Sequence, residues 1–153
     1  LNLEHPRVRH DGKTAEFVLV SEQQRAGKAA LSVTQADVRQ LQLAKAAIAS
    51  GIQALLEHEC MSSSQLSAII VAGAFGSYID VRSAIAIGML PSIPLERFRQ
   101  VGNAAGTGAK MALASLAQRQ QALALAHKIG YLELATSPGF MHRFVDNTAL
   151  RPF

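Results

Sequence analysis

The fold class is predicted most directly by two stretches, Ala68-Ile-Ile-Val-Ala-Gly-Ala-Phe-Gly-Ser77 and Phe98-Arg-Gln-Val-Gly-Asn-Ala-Ala-Gly-Thr-Gly108. The first contains an apolar run at 68–72 and the second a short candidate strand at 98–101. Each passes directly into a glycine-rich turn and then into a segment with helical character, near 81–87 in the first case. Runs of this length favour strands, and glycine-rich strand-to-helix turns are typical of βα units. The two stretches therefore predict consecutive βα units with neighbouring strands.

The residues before these units predict three strands and a long helix. Strands at 7–10 and 16–20 flank Asp11-Gly12, a dipeptide suited to a tight hairpin turn, and a third strand is expected at 30–33. Thr34 is a good helix N-cap that Asp37 can answer in a capping box. One apolar face then recurs at helical spacing through Val38, Leu41, Ile48, Ile52 and Leu55.

The tail completes the predicted order. An Ala-rich helix should run from the second glycine turn toward His127, followed by a strand at 131–135 and a short helix starting near Pro138. The order β-β-β-α-β-α-β-α predicts an α/β fold, a ribonuclease-H-like mixed sheet with helices on both faces, in a single domain over residues 1–153.

The composition of the chain disfavours several classes of function. The charge of +4 is modest, the basic residues are scattered and Trp is absent, which disfavours nucleic-acid binding. No apolar stretch has the length of a membrane span. The single cysteine, Cys60, excludes an internal disulfide and a cysteine-ligated iron–sulfur cluster, and it indicates a cytoplasmic setting. Because Leu1 replaces an initiator Met, we expect a piece of a longer protein.

The glycine-rich turns are the strongest candidates for a binding site. A helix that starts directly after a strand presents unpaired N–H groups and a positive dipole end, which favour phosphate. The first turn contains Gly73 and Gly76. The second contains Gly102, Gly106 and Gly108, with Asn103 and Thr107 as candidate side-chain hydrogen-bond partners of a ligand. The alternative is that the glycines only permit tight turns and close helix–sheet packing. Neither turn matches a P-loop or a dinucleotide fingerprint.

Several longer segments together resemble one family. They are residues 34–48, Val71-Ala-Gly-Ala-Phe-Gly-Ser-Tyr-Ile-Asp80, Ile87-Gly-Met-Leu-Pro91, Val101-Gly-Asn-Ala-Ala-Gly-Thr-Gly-Ala109, Tyr131-Leu-Glu-Leu-Ala135 and 140–145. They are similar to the ATP-dependent reductive activators of corrinoid proteins. The C-terminal part of these activators belongs to the superfamily of acetate and sugar kinases, heat-shock proteins and actin (ASKHA).

The resemblance implies a function for the parent protein. Such activators use ATP and a plant-type two-iron, two-sulfur domain to reduce Co(II) to Co(I) in a partner corrinoid protein of a methyltransferase system. The resemblance implies an adenosine motif at 73–77, a second pocket wall at 102–108, and a neighbouring helix that carries Arg39, Gln42 and Lys45. The expected nucleotide contacts are Gly73, Ala74, Phe75, Gly76, Ser77, Gly102, Asn103, Gly106, Thr107, Gly108 and Lys45.

Two departures limit what this chain does alone. Ala74 stands where the superfamily often has a second glycine, and the segments for the iron–sulfur cluster, the phosphate loops and the Mg²⁺ ligands are missing. We therefore expect no catalytic residues here and an isolated fragment that is inactive. The alternatives are part of another ASKHA kinase or ATPase, and a non-enzymatic interaction module. Surface left exposed by a missing half can also promote homodimers.

Other residues favour structural roles. Asp80 is expected to cap the next helix rather than bind metal. His58 and Cys60 form no metal site without a second cluster. The sequence allows two interpretations of Lys45, either a solvated helix lysine or a nucleotide ligand.

Overall fold

The computed structural model describes residues 4–10 and 14–153 and divides into two compact units, Leu1–Lys45 and Ala46–Phe153. The predicted Asp11-Gly12 turn lies outside the described residues. None of the helices in the described ranges combines the length and apolar character that crossing a bilayer requires.

The N-terminal unit contains a three-stranded antiparallel sheet in the order β1-β2-β3. Its strands are β1 (Val8–His10), β2 (Ala15–Val20) and β3 (Leu31–Thr34). The three predicted strands are confirmed, with β3 shifted one residue along the chain. Ala15 and Val18 of β2 are buried, so apolar side chains of this strand are shielded from water.

The long helix α1 (Gln35–His58) begins where the capping pattern predicts. The Asp37 carboxylate accepts hydrogen bonds from the Thr34 backbone N–H at 2.8 Å and from the Thr34 hydroxyl at 2.7 Å. The Asp37 N–H donates to Thr34 Oγ1 at 3.1 Å. Reciprocal bonds of this kind satisfy N–H groups that have no partner inside the helix, so the predicted capping box is confirmed.

The C-terminal unit alternates strands and helices. Its strands are β4 (Ile69–Ala72) and β5 (Phe98–Gly102), and its helices after α1 are α2 (Gly73–Tyr78), α3 (Val81–Ala86), α4 (Ala104–Ala114), α5 (Leu116–Ala126) and α6 (Phe140–Asp146). β4 and β5 pair in parallel, as two consecutive βα units require. The predicted α/β class is confirmed, and the described strands lie in two sheets, one antiparallel and one parallel.

The core of the C-terminal unit lies around the loop after α3. Ala84, Met89 and Leu90 are buried, and Ile48 and Ile52 of α1 pack against them. This cluster also includes partly buried side chains from α3 and the start of β5, namely Val81, Ile85, Ile87 and Phe98. Burial of these apolar groups holds α1, α3 and the start of β5 together.

Helix α6 is joined to α1 by polar contacts within the C-terminal unit. Asn147, which follows α6, donates through Nδ2 to Ser50 Oγ at 3.0 Å and to Gln53 Oε1 at 2.8 Å. Arg143 forms an ion pair with Glu57 at 2.7 Å. Since Ser50 and Asn147 are buried, these bonds satisfy polar groups that water does not reach.

Four sequence predictions were wrong or imprecise. The Ala-rich helix is two helices, because Ser115 has an extended backbone and caps α5 by accepting a hydrogen bond from the Gln118 N–H. Residues 131–135 form no strand; Glu133 instead accepts from the Tyr131 hydroxyl and the Ala135 N–H. The predicted turn at 73–77 is already the short helix α2, and the tail helix begins at Phe140 rather than near Pro138.

The two capping aspartates should make the free energy of unfolding decrease at acidic pH. The Thr34 backbone N–H lowers the pKa of Asp37, and the hydrogen bond with Ser83 lowers the pKa of Asp80. A carboxylate with a lowered folded-state pKa stabilises the fold above its unfolded pKa, and that stability is lost as pH falls through the folded value. Urea unfolding should show stability falling below about pH 4, and less steeply in an Asp37→Asn/Asp80→Asn variant. An unchanged slope would contradict this prediction.

Candidate nucleotide-binding site

The candidate site is built from the carboxyl ends of β4 and β5. In the parallel register Ala72 lies opposite Gly102, so both strands end at the same edge of the sheet. A Cβ added to Gly102 would lie 3.7 Å from Ser77 Oγ, which shows that the two turns approach each other closely. The predicted side-by-side placement is therefore confirmed, at the edge where open α/β sheets bind ligands.

The first turn owes its shape to Gly73. Its φ of +84° lies in the left-handed region that other residues rarely adopt, and a Cβ placed there would meet nothing within 4 Å. Helix α2 begins at this residue, with Ala74 exposed next to it. The Ser77 hydroxyl points back and donates to the Gly73 carbonyl at 3.4 Å. The start of α2 is thus open to a ligand.

Gly76 has a different role from Gly73. It is buried, and a Cβ there would lie 2.5 Å from the carbonyl oxygen of Val71 in β4. The glycine therefore permits α2 to pack directly on the strand backbone, which is the packing role that the sequence left open as an alternative. The description does not extend to the side chain of Phe75.

The second turn is organised by Asn103. This residue caps α4: Asn103 Oδ1 accepts from the Gly106 N–H at 2.9 Å, and its backbone carbonyl accepts from the Thr107 hydroxyl at 3.1 Å. A Cβ at Gly106 would lie 2.6 Å from Asn103 Nδ2, so Gly106 leaves room for the cap. The side chains of Asn103 and Thr107, which were expected to contact a ligand, thus form hydrogen bonds within the turn.

The sequence predicted backbone donors at the start of α4, but Ala104 and Ala105 were not among the expected contacts. Ala104 and Ala105 are the first two residues of α4, and their N–H groups have no acceptor inside the helix. Both residues are exposed, as is Gly108, beside which a Cβ would meet nothing within 4 Å. An asparagine followed by small residues at a helix start is the signal that could have located these donors.

Lys45 is not the solvated lysine that the sequence allowed. Its side chain is 1% exposed within α1, so contact with a nucleotide would require it to leave that position. Arg39, on the same helix, is exposed and lines a cavity of about 320 Å³ in the N-terminal unit together with Thr14, Thr34, Gln35 and Ala36.

Asp80 has the structural role that the sequence favours. Its carboxylate accepts from the Ser83 N–H at 2.7 Å and caps α3, which confirms the predicted cap. Cys60 is an exposed free thiol, and no group of three or more His, Cys, Asp or Glu side chains is assembled within residues 4–10 and 14–153.

The element order and the paired glycine-bearing helix starts define an α/β domain of the ASKHA type. Residues 1–152 match the family model of the C-terminal domain of RACo, the ASKHA domain, and the chain belongs to this family.

Two relatives are informative. The corrinoid activation enzyme RamQ of Eubacterium limosum is 45% identical over 116 residues, which are 76% of this chain. A solved structure described as a reductive activator for corrinoid,iron-sulfur protein is 34% identical, with a TM-score of 0.83 over 95% of this chain. The chain spans only 20% of the length of RamQ and 23% of the length of the solved activator.

Proposed function

We propose that this domain binds the adenosine side of ATP where α2 and α4 begin. The single observation that carries the proposal is the close approach of the two turns, where Gly102, at the end of β5, lies beside Ser77 of α2, the helix that follows β4. Two helix starts at one edge place backbone donors and two positive dipole ends together, which favours an anionic or strongly polar ligand.

The described residues fit such a ligand. Open space at Gly73 and Gly108 allows close approach, while the Asn103 cap holds α4 so that Ala104 and Ala105 offer their N–H groups. Ala74, Ser77 and Gly102 would line the same pocket, whereas Gly76, Gly106 and Thr107 would shape it. Bound ATP would supply free energy from binding and hydrolysis, with Mg²⁺ held by residues outside this chain.

The parent activity that we propose is reductive activation of a corrinoid protein. One electron converts inactive Co(II) to Co(I), and an iron–sulfur domain elsewhere in the parent polypeptide supplies it. Similarity to RamQ and to the solved activator supports this proposal. The partner would be a corrinoid protein of a methyltransferase system, in the cytoplasm, whose reducing conditions suit the free thiol of Cys60.

Membership of the RACo family disfavours the alternative of an unrelated ASKHA kinase. A non-enzymatic interaction module predicts no effect of nucleotide on stability. A ligand that binds only the folded state must raise its stability, by about 1.4 kcal/mol at tenfold excess over Kd. For a chain of this size, ATP at that excess should raise Tm by about 3–6 °C, and an unchanged Tm at millimolar ATP would refute ATP binding.

Ala104→Pro tests the proposed backbone donor. Proline is well tolerated at the first position of a helix, so the variant should stay folded while losing one N–H group. We expect ATP affinity measured by calorimetry to fall about tenfold, the cost of roughly one hydrogen bond. Leu116→Pro, at the first position of α5, is the matched control and should leave ATP affinity unchanged. Equal losses in both variants would contradict the assignment.

A further inference from the structure

Helices α4 and α5 leave an unusual amount of apolar surface uncovered. Neither helix contains a buried residue. Large apolar side chains between 59% and 86% exposed follow one another along this part of the chain: Leu113, Leu116, Leu123, Leu125, Ile129 and Tyr131. Short helices are marginal in water without tertiary packing, and contiguous apolar patches mark interfaces. Something outside this domain should cover them.

The arrangement of leucines in α5 indicates the shape of what covers it. Leu116 and Leu123 are seven residues apart and lie on one side of the helix, whereas Leu125 lies on the opposite side. Residues 118–121 are polar, so the exposed leucines lie at the two ends of α5 and on more than one side of it. We therefore expect a groove that contacts both ends of α5 rather than a flat surface on one side.

The positive charge along α4 and α5 predicts the charge of the groove that would cover them. The sequence has no Asp or Glu between Glu96 and Glu133, while Lys110, Arg119 and Lys128 lie along the same stretch. Arg119 Nε donates to the Ala112 carbonyl at 3.1 Å and so joins α5 to α4, which keeps its positive charge near both helices. A second copy of this chain would oppose like charges, whereas an acidic rim would complement them.

We propose that α5 inserts into an apolar groove with an acidic rim, formed by the part of the parent polypeptide that lies outside this domain. This inference rests on the proposed function, because it requires the longer parent that the relatives possess. Those relatives have roughly four times the length of this chain, since the aligned parts, 95% and 76% of this chain, cover 23% and 20% of them. A leucine-rich surface resembles a permanent interface, which is more apolar than a transient one.

Hydrogen exchange compares the 153-residue chain with the intact parent protein. Amides of residues 116–126 should exchange at least about tenfold more slowly in the parent, because docking suppresses local opening. The exchange rates of the α6 amides should change little, because α6 is already joined to α1.

Variants of the parent protein test which side chains cause the added protection. Leu123→Asp should remove it, whereas Met141→Asp on the exposed side of α6 is the matched control and should preserve it. Lys128→Glu should reduce the protection, because it reverses a charge opposite the acidic rim.

Each alternative occupant gives a distinct result. Equal exchange of α5 in both proteins overturns the proposal. Protection that rises with the concentration of the 153-residue chain assigns α5 to a second copy, and protection gained only with phosphatidylserine vesicles assigns it to a membrane surface; either result overturns the proposal. Calorimetric ATP binding to the 153-residue chain, measured in parallel, shows whether the nucleotide site has failed separately.

Discussion

Gly76→Ala is expected to destabilise the C-terminal unit by about 2–3 kcal/mol, because overpacking against fixed atoms costs this much. The new methyl carbon would lie 2.5 Å from the Val71 carbonyl oxygen and 2.7 Å from its carbonyl carbon. Both are backbone atoms of a paired strand, so α2 would have to move away from β4. Thermal unfolding should show Tm lower by about 5–10 °C. ATP affinity should also fall, since α2 forms one side of the proposed site.

Gly108→Ala is the matched control for that variant. It adds the same methyl group to another glycine of the two turns, but a Cβ there meets no atom within 4 Å. Because alanine favours a helix over glycine, the variant should be more stable than the wild type by about 0.5–1 kcal/mol. A loss of stability in Gly108→Ala, or none in Gly76→Ala, would contradict the packing described for α2.

Asn147→Ala is expected to cost about 2–4 kcal/mol of unfolding free energy, the penalty for leaving buried polar groups without partners. The Asn147 amide nitrogen serves both Ser50 Oγ at 3.0 Å and Gln53 Oε1 at 2.8 Å. Ser50 is fully buried, so water cannot replace the lost donor without entering the interface between α1 and the end of α6. Urea unfolding followed by circular dichroism measures the loss.

Asn103→Ala provides the comparison for Asn147→Ala. Asn103 is exposed and caps α4 through one hydrogen bond to the Gly106 N–H. Loss of an exposed cap typically costs about 1 kcal/mol. The buried asparagine should therefore matter two to four times as much as the exposed one. Similar losses in the two variants would show that the Ser50–Gln53–Asn147 contacts contribute little.

The local patterns in the sequence predicted much of the fold. The pair Thr34 and Asp37 located the start of α1, and Asp80 located the start of α3, because capping depends on neighbours within four residues. The two candidate strands before the glycine-rich turns predicted neighbouring strands that end at one edge, and β4 and β5 do pair in parallel there. These features depend on chemistry that is contained in short stretches of chain.

The remaining features depended on contacts that short patterns do not contain. Nothing local distinguishes Gly76, which packs on Val71, from Gly73, which adopts a positive φ, since both stand in one motif. The alternation of Tyr131, Glu133 and Ala135 suggested a strand, but the Glu133 side chain satisfies local donors instead. The sequence left Lys45 either as a solvated lysine or as a nucleotide ligand, because the burial of this side chain depends on packing that the helix pattern does not contain.

The most direct test of the nucleotide site is a titration of the ¹⁵N-labelled domain with ATP, followed by backbone amide shifts. The predicted result is saturable shifts that are largest at Ala74, Ala104 and Ala105, where α2 and α4 begin. The contradicting result is an absence of shifts there at saturating ATP, or shifts confined to the cavity beside Arg39 in the N-terminal unit.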